Sequence, residues 1–160
     1  MNKQLISLLI ALLAIPSLQA QTAGKFRDVK AGLFHVLILK NDGTLWAMGM
    51  NNNGQLGDGT TTKRSKPVKI MDNVKAMSAG DSHSLAIKND GTVWAWGWNH
   101  AGQLGDGTKT DRHTPVKVLD GAKSVECGGQ HSFAILNDGS LMAWGNNYHG
   151  QLGNASSSRV

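Results

Sequence analysis

The chain has 160 residues, with 16 Lys and Arg against 11 Asp and Glu and a formal net charge of +5. Its single cysteine, Cys127, excludes an intramolecular disulfide, and so small a basic excess does not by itself imply a nucleic-acid partner. Glycine is abundant and helix-period patterns are absent after residue 20, which points to an all-β chain with many turns.

Residues 1–20 read as an export signal. Lys3 supplies a positive start, Leu5 to Ile15 is an apolar and small-residue run broken only by Ser7, and Leu18-Gln19-Ala20 offers a cut after Ala20. The run is shorter than the roughly 20 apolar residues that a membrane-spanning helix needs. The expected mature protein begins at Gln21, is secreted or periplasmic, and meets neither membrane nor nucleic acid.

From Phe26 onward one unit recurs every 48 residues. His35, His83 and His131 keep that spacing, as do Gly49, Gly97 and Gly145, and as does Gly-Gln-Leu-Gly at 54–57, 102–105 and 150–153. A fixed period of this size marks one supersecondary unit that buries its faces against its neighbours. The units run 26–73, 74–121 and 122–160. The third stops at Ser156-Ser157-Ser158-Arg159-Val160, before the strand that Pro67-Val68-Lys69-Ile70 and Pro115-Val116-Lys117-Val118 supply in the others. We therefore read the chain as a fragment.

Unit two shows the internal plan. Lys75–Ala79 is a short strand. His83–Lys88 alternates, with His83, Leu85 and Ile87 on one face and Ser84, Ala86 and Lys88 on the other. Asn89-Asp90-Gly91 predicts a tight primed hairpin turn. Thr92–Gly97 returns with Trp94, Trp96 and Trp98 on one side and Val93, Ala95 and Gly97 on the other. Such a strand suits stacked sheets, with each blade's rings nesting on the next blade's Ala and Gly. A Gly-rich loop, Asn99–Arg112, leads to an outer strand, Pro115–Leu119. Four short strands in 40–50 residues make a β-propeller blade. The expected fold is all-β, with blades of four antiparallel strands, under three blades present and the ring incomplete. The two open blade faces are expected to self-associate.

Unit two reads Gly80-Asp81-Ser82-His83-Ser84-Leu85-Ala86, Asp90-Gly91, Trp96-Gly97-Trp98-Asn99 and Gly102-Gln103-Leu104-Gly105. This resembles the repeat of the regulator of chromosome condensation family, over residues from about Phe26 to Gly153. The resemblance implies a seven-bladed propeller. The family's nuclear member is an exchange factor for a small GTPase and uses a wedge inserted into one blade. The unbroken spacing of Gly49, Gly97 and Gly145 leaves no room for a wedge, so exchange is the last of the functions expected. A photoreceptor branch carries Trp two positions before the repeat His; Leu33, Asp81 and Gly129 stand there.

No residues are spaced for nucleophilic catalysis, and no cofactor is called for. His35, His83 and His131 share one repeat-defining slot, which a structural hydrogen bond explains. Zinc would need them within about 2.1 Å of one metal. Asp58-Gly59-Thr60 and Asp106-Gly107-Thr108 each offer one carboxylate, too few for calcium and ample for a turn. His100, His113 and His149 are expected in solvated loops. Cys127 aligns with Ala31 and Ala79, a small buried slot. Asn154-Ala155-Ser156 is a formal glycosylation sequon, meaningful only in a eukaryotic secretory host. Two departures from the repeat are candidate partner sites: the basic edge Lys63, Arg64 and Lys66, and Trp98 beside the Asn51-Asn52-Asn53 loop. The expectation is an exported, non-catalytic scaffold that binds a protein, with carbohydrate binding as the alternative.

Overall fold

The computed structural model describes residues 25–153. The expected signal, its cut after Ala20 and the Asn154 sequon lie outside the described residues.

Eleven strands form three antiparallel sheets. The first is β1 (Phe26–Ala31), β2 (His35–Lys40), β3 (Leu45–Gly49) and β4 (Arg64–Met71). The second is β5 (Val74–Ala79), β6 (His83–Lys88), β7 (Val93–Gly97) and β8 (Arg112–Leu119). The third is β9 (Ala122–Cys127), β10 (His131–Leu136) and β11 (Leu141–Gly145). Within each sheet the strands pair in chain order, so every unit is a meander, and three strands of the third lie among the described residues. The chain is all-β, an open run of propeller blades. Strands β1, β5 and β9 approach one another and form the inner side, while β4 and β8 lie outermost.

The hairpins differ from the expected primed turn. Such a turn needs positive φ at both central residues, but in Asn89-Asp90-Gly91 only Gly91 has it, at 86°. Gly91 N–H bonds Lys88 O and Lys88 N–H bonds Thr92 O, giving a three-residue loop that ends in a left-handed glycine. The Asp90 carboxylate closes it by accepting Thr92 N–H and Oγ1–H. Asp42 with Thr44 and Asp138 with Ser140 repeat the device.

The outer strands start three residues before their prolines, at Arg64 and Arg112. Arg64 pairs with Gly49 and Val68 with Ala47, so β4 spends extra residues there as a bulge. Pro67 sits inside that bulge, where no ladder N–H is required. Arg112, Pro115 and Val116 repeat this against Gly97 and Ala95.

Two apolar clusters fill the seams between blades. The first joins Leu37, Leu39, Leu45, Ala47 and Leu56 of blade one to Val74, Met77, Ala86 and Trp96 of blade two. The second joins Leu85, Ile87, Val93, Ala95 and Leu104 to Ala122, Val125, Ala134 and Trp144. Blades one and two thus turn their His/Leu faces forward, and blades two and three turn their Ser/Ala/Trp faces back. The expected nesting runs the other way: Trp96 lies on the preceding blade's loop, not on the next blade. A Cβ on Gly57 would sit 2.8 Å from Trp96 Nε1, and one on Gly105 would sit 2.8 Å from Trp144 Nε1. The final glycine of Gly-Gln-Leu-Gly is therefore a ring seat.

Candidate functional site

The repeated histidines form no joint site. His35 and His83 each sit at a seam between two blades. His35 Nε2 lies 2.9 Å from Ser84 Oγ, and His83 Nε2 lies 2.9 Å from Ser132 Oγ. Ser84 Oγ in turn donates to Gln55 O at 2.9 Å, and Ser132 Oγ donates to Gln103 O at 2.8 Å. The serine proton is thereby used, so the imidazole Nε2–H is the donor to Oγ and Nδ1 is unprotonated. Trp96 Nε1–H and Trp144 Nε1–H donate to the same two carbonyls at 2.9 Å. One main-chain carbonyl of each Gly-Gln-Leu-Gly thus takes a hydroxyl and an indole from the next blade. Burial lowers His35 from 6.5 to about 4, and burial with the neighbouring His35 and His131 lowers His83 to about 3. Protonation would place a proton on a buried Nδ1 that has no acceptor. His35 and His83 are neutral latches. Among the described residues, no group of three or more His, Cys, Asp or Glu is placed to hold a metal. Burial pushes the Cys127 thiol up to about 12, outside the range of a reactive thiolate.

The loops after β3 and β7 are pinned by repeated side chains. Asn51 Oδ1 accepts Leu56 N–H while its amide donates to Asp58 Oδ1 and to the Thr60 and Thr62 carbonyls. Asn99 does the same with Leu104, Asp106, Thr108 and Thr110. Arg64 Nε donates to Asp58 Oδ2 at 2.7 Å, and Arg112 Nε to Asp106 Oδ2 at 2.6 Å. Burial works to raise Asp58, yet the Thr60 hydroxyl and N–H and the Arg64 guanidinium hold it below the usual carboxylate range. Arg64 is therefore committed to its own loop, in the role Arg112 repeats. Lys63 and Lys66 are exposed, and Lys69 pairs with Asp72 at 2.7 Å.

Trp98 is half-buried at the end of β7, its ring centroid 5.5 Å from that of His100. His100 Nε2 is 3.8 Å from Asp111 Oδ1. Asp111 also accepts Asn99 N–H and, across the seam, the Asn53 amide at 3.3 Å. Trp98 and the Asn-rich loop, far apart in the chain, therefore meet on one surface. His113 is exposed, as expected, but it lies in β8 rather than a loop, and its ring packs under Gly54 of blade one.

More residues belong to this surface than the sequence reading picked out. Leu33 and Phe34, each 59% exposed, lie in the β1–β2 turn at the same end of blade one. Phe34 O accepts Met50 N–H, which places exposed Met50 beside them. Tyr148 of blade three is 82% exposed, with its ring edge-on to His149. Leu33, Phe34, Met50, Trp98 and Tyr148 thus occupy one end of the blades, the loop face. The opposite end carries Asn-Asp-Gly three times. The signal was available: Leu33 stands where Asp81 and Gly129 stand, Phe34 where Ser82 and Gln130 stand, and Tyr148 where Asn52 and His100 stand.

A groove of about 510 Å³, lined in part by Gly105, Val118, Leu119, Met142 and Trp144, lies beside β11. In the other blades a fourth strand pairs at that edge, so the groove belongs to blade architecture.

The model of the regulator of chromosome condensation (RCC1) repeat matches residues 42–87 and 90–135, and a second model of that repeat matches 26–55, 74–103 and 122–151. Among solved structures, yeast RCC1 (Prp20) bound to Kap60 superposes with a TM-score of 0.77 at 24% identity, covering 85% of this chain and 36% of that one. Human WBSCR16 superposes with a TM-score of 0.73 at 28% identity, covering 84% and 37%. The chain spans little more than a third of either. With the repeat matched across both seams and the blade geometry in common, the chain belongs to the regulator of chromosome condensation repeat family.

Proposed function

We propose that this protein is an exported, non-catalytic propeller scaffold that binds another protein through its loop face. The observation that carries this reading is the gathering of Leu33, Phe34, Met50, Trp98 and Tyr148 at one end of the blades. Exposed aromatic and large apolar groups, held by rigid loops, are the side chains that dominate binding energy at protein interfaces. The loops that follow Met50 and Trp98 are pinned by Asn51, Asn99 and the two Arg–Asp pairs. Export rests on residues 1–20.

Photo-crosslinking with the reactive group at position 34, and in a second protein at position 90 on the opposite face, tests this. Adducts are expected from position 34 alone, and Trp98→Ala and Tyr148→Ser should remove them. Equal capture from both faces, or turnover of a substrate by the purified protein, would overturn the reading.

Carbohydrate binding is the second reading. The specific observation is the half-buried Trp98 ring beside His100, Asp111 and Asn53, an aromatic platform with planar polar groups at its edge. A glycan array probed with wild type and Trp98→Ala decides it. Nucleotide exchange, offered by family analogy, is checked by nucleotide release from small GTPases.

A further inference from the structure

Cations that recur from blade to blade have a recurring partner, with one exception. Arg64 and Arg112 bind Asp58 and Asp106, and Lys69 and Lys117 bind Asp72 and Asp120, each pair at 2.6 or 2.7 Å. Lys40 and Lys88 lie over the Trp46 and Trp94 rings. The exception recurs three times, as Arg27, Lys75 and Lys123. Among the described residues, none of these three side chains makes an ion pair, a hydrogen bond or a ring contact.

The backbone sets the same three residues apart. In β1, Phe26 pairs with Lys40 and Asp28 with Leu39, so Arg27 is the extra residue of a β-bulge. Lys75 is the extra residue between Val74 and Ala76 of β5, and Lys123 is the one between Ala122 and Ser124 of β9. A bulge leaves its extra residue out of the ladder and re-aims the side chain. Each blade thus re-aims a cation from its innermost strand.

Inner strands line the central channel of a propeller. Asn41 N–H bonds Lys25 O, Asn89 N–H bonds Asn73 O and Asn137 N–H bonds Gly121 O, so the bulges lie at the Asn-Asp-Gly end of that channel, away from the loop face. A groove of about 320 Å³ runs along β1, β5 and β9. Arg27 and Lys75 line it together with Lys30, Asp28, Ser124 and Glu126, and Lys123 is exposed beside Ser124. Asp28 is already engaged: it accepts Val29 N–H and lies 4.0 Å from Lys30 Nζ. Glu126 stands further along β9, toward the other end of the channel. The three bulge cations are therefore not neutralised, and like charges on neighbouring strands repel.

We infer that this channel mouth is a binding site for a small multivalent oxyanion, a molecule carrying at least two phosphate or carboxylate groups. One anionic group leaves cations unmatched, whereas a ligand with several can answer the cation that each successive blade presents. Arg27 offers a planar fork to an oxyanion, and the lysines offer point charges. The Ser124 hydroxyl adds a neutral donor. The site lies apart from the loop face, so its failure would leave the protein-binding reading standing.

Isothermal titration calorimetry of the full chain with tripolyphosphate, citrate and orthophosphate tests this. Tripolyphosphate or citrate should bind at least about tenfold more tightly than orthophosphate, and the tighter of the two assigns phosphate or carboxylate. Lys75→Gln should weaken that binding at least about tenfold, the loss of one charge-assisted hydrogen bond. Lys75→Arg should keep most of it. Lys109→Gln removes the same charge from the exposed loop after β7 and should leave binding unchanged. Circular dichroism establishes that each variant is folded, and Lys123→Gln repeats the measurement at an exposed side chain if Lys75→Gln is not. No binding of either multivalent anion, equal affinity for orthophosphate, or unchanged binding by the folded Lys75 or Lys123 variant would overturn the inference. An equal loss in Lys109→Gln would overturn it too, because it would mean general attraction of anions to a basic chain.

Discussion

Replacing Ser84 by alanine asks how much of the seam the latch carries. Ser84 is fully buried. Its hydroxyl accepts from His35 Nε2 and donates to Gln55 O, both at 2.9 Å. Without it, Gln55 O keeps the Trp96 indole, but His35 Nε2–H is left buried with no acceptor. One unsatisfied buried donor, less the small gain from removing a polar atom, gives a loss of about 1–3 kcal/mol. Urea titration followed by tryptophan fluorescence and by circular dichroism measures it. The m-value should hold, because the surface exposed on unfolding is the same. Trp96→Phe removes the other donor to Gln55 O and keeps most of the ring. The double variant strips that buried carbonyl bare, so its loss should exceed the sum of the two single losses by about 1 kcal/mol. A Ser84→Ala loss below about 0.5 kcal/mol, the level of an ordinary surface change, would refute the latch. So would strict additivity with Trp96→Phe.

Acid should loosen the seams before it reaches the carboxylates. His35 and His83 have folded pKa values of about 4 and about 3 against an ordinary 6.5. The unfolded chain therefore binds more protons in this window. Their contribution is complete above pH 6.5 and is lost as pH falls toward 4 and 3, on the order of 3 kcal/mol for His35 and 5 kcal/mol for His83 at about 1.4 kcal/mol per pKa unit. Stability measured from pH 7.5 to 4.5 should fall, and His83→Asn should flatten that slope; a flat wild-type profile would contradict the buried neutral state. Asp58 and Asp106, held below their ordinary 3.8, add a loss only at lower pH. Gly57→Ala should destabilise by at least about 2 kcal/mol in thermal melts, because φ there is +82° and the new methyl meets the Trp96 ring. Arg64→Ala should cost about 1–3 kcal/mol, since it removes the one cation among the described residues that pairs with the largely buried Asp58 carboxylate and leaves Oδ2 without that donor; Lys63→Ala, with an exposed side chain, should stay within about 0.5 kcal/mol.

Much of this protein is legible along the chain because a repeat states its plan more than once. The 48-residue period, the alternation in His83–Lys88 and the Asn-Asp-Gly turns are local properties of strands and hairpins, and they determine an all-β propeller blade and its family without any distant contact. Alternation also says that each strand has two faces. It does not say which neighbour each face meets. That is why the Trp96 ring was expected on the following blade yet lies on the preceding one, seated on Gly57. The hairpin type, too, depends on φ values that Asn-Asp-Gly permits in more than one combination.

The candidate sites divide along the same line. Trp98 stood out because it breaks the repeat, whereas Leu33, Phe34 and Tyr148 gain meaning only once the β1–β2 turn and the loops after β3, β7 and β11 are brought to one end of the blades. Arg64 looks like a free basic group in the sequence, and only the folded loop turns it onto Asp58. The latch is the clearest case. His35 and Ser84 are 49 residues apart, and Gln55 and Trp96 are 41 apart. The sequence by itself determined that these residues recur. Only the stacking of one blade on the next decided that a histidine, a serine, a tryptophan and a backbone carbonyl would share one buried point, because a hydrogen bond between blades depends on how sheets face each other and not on the spacing within either.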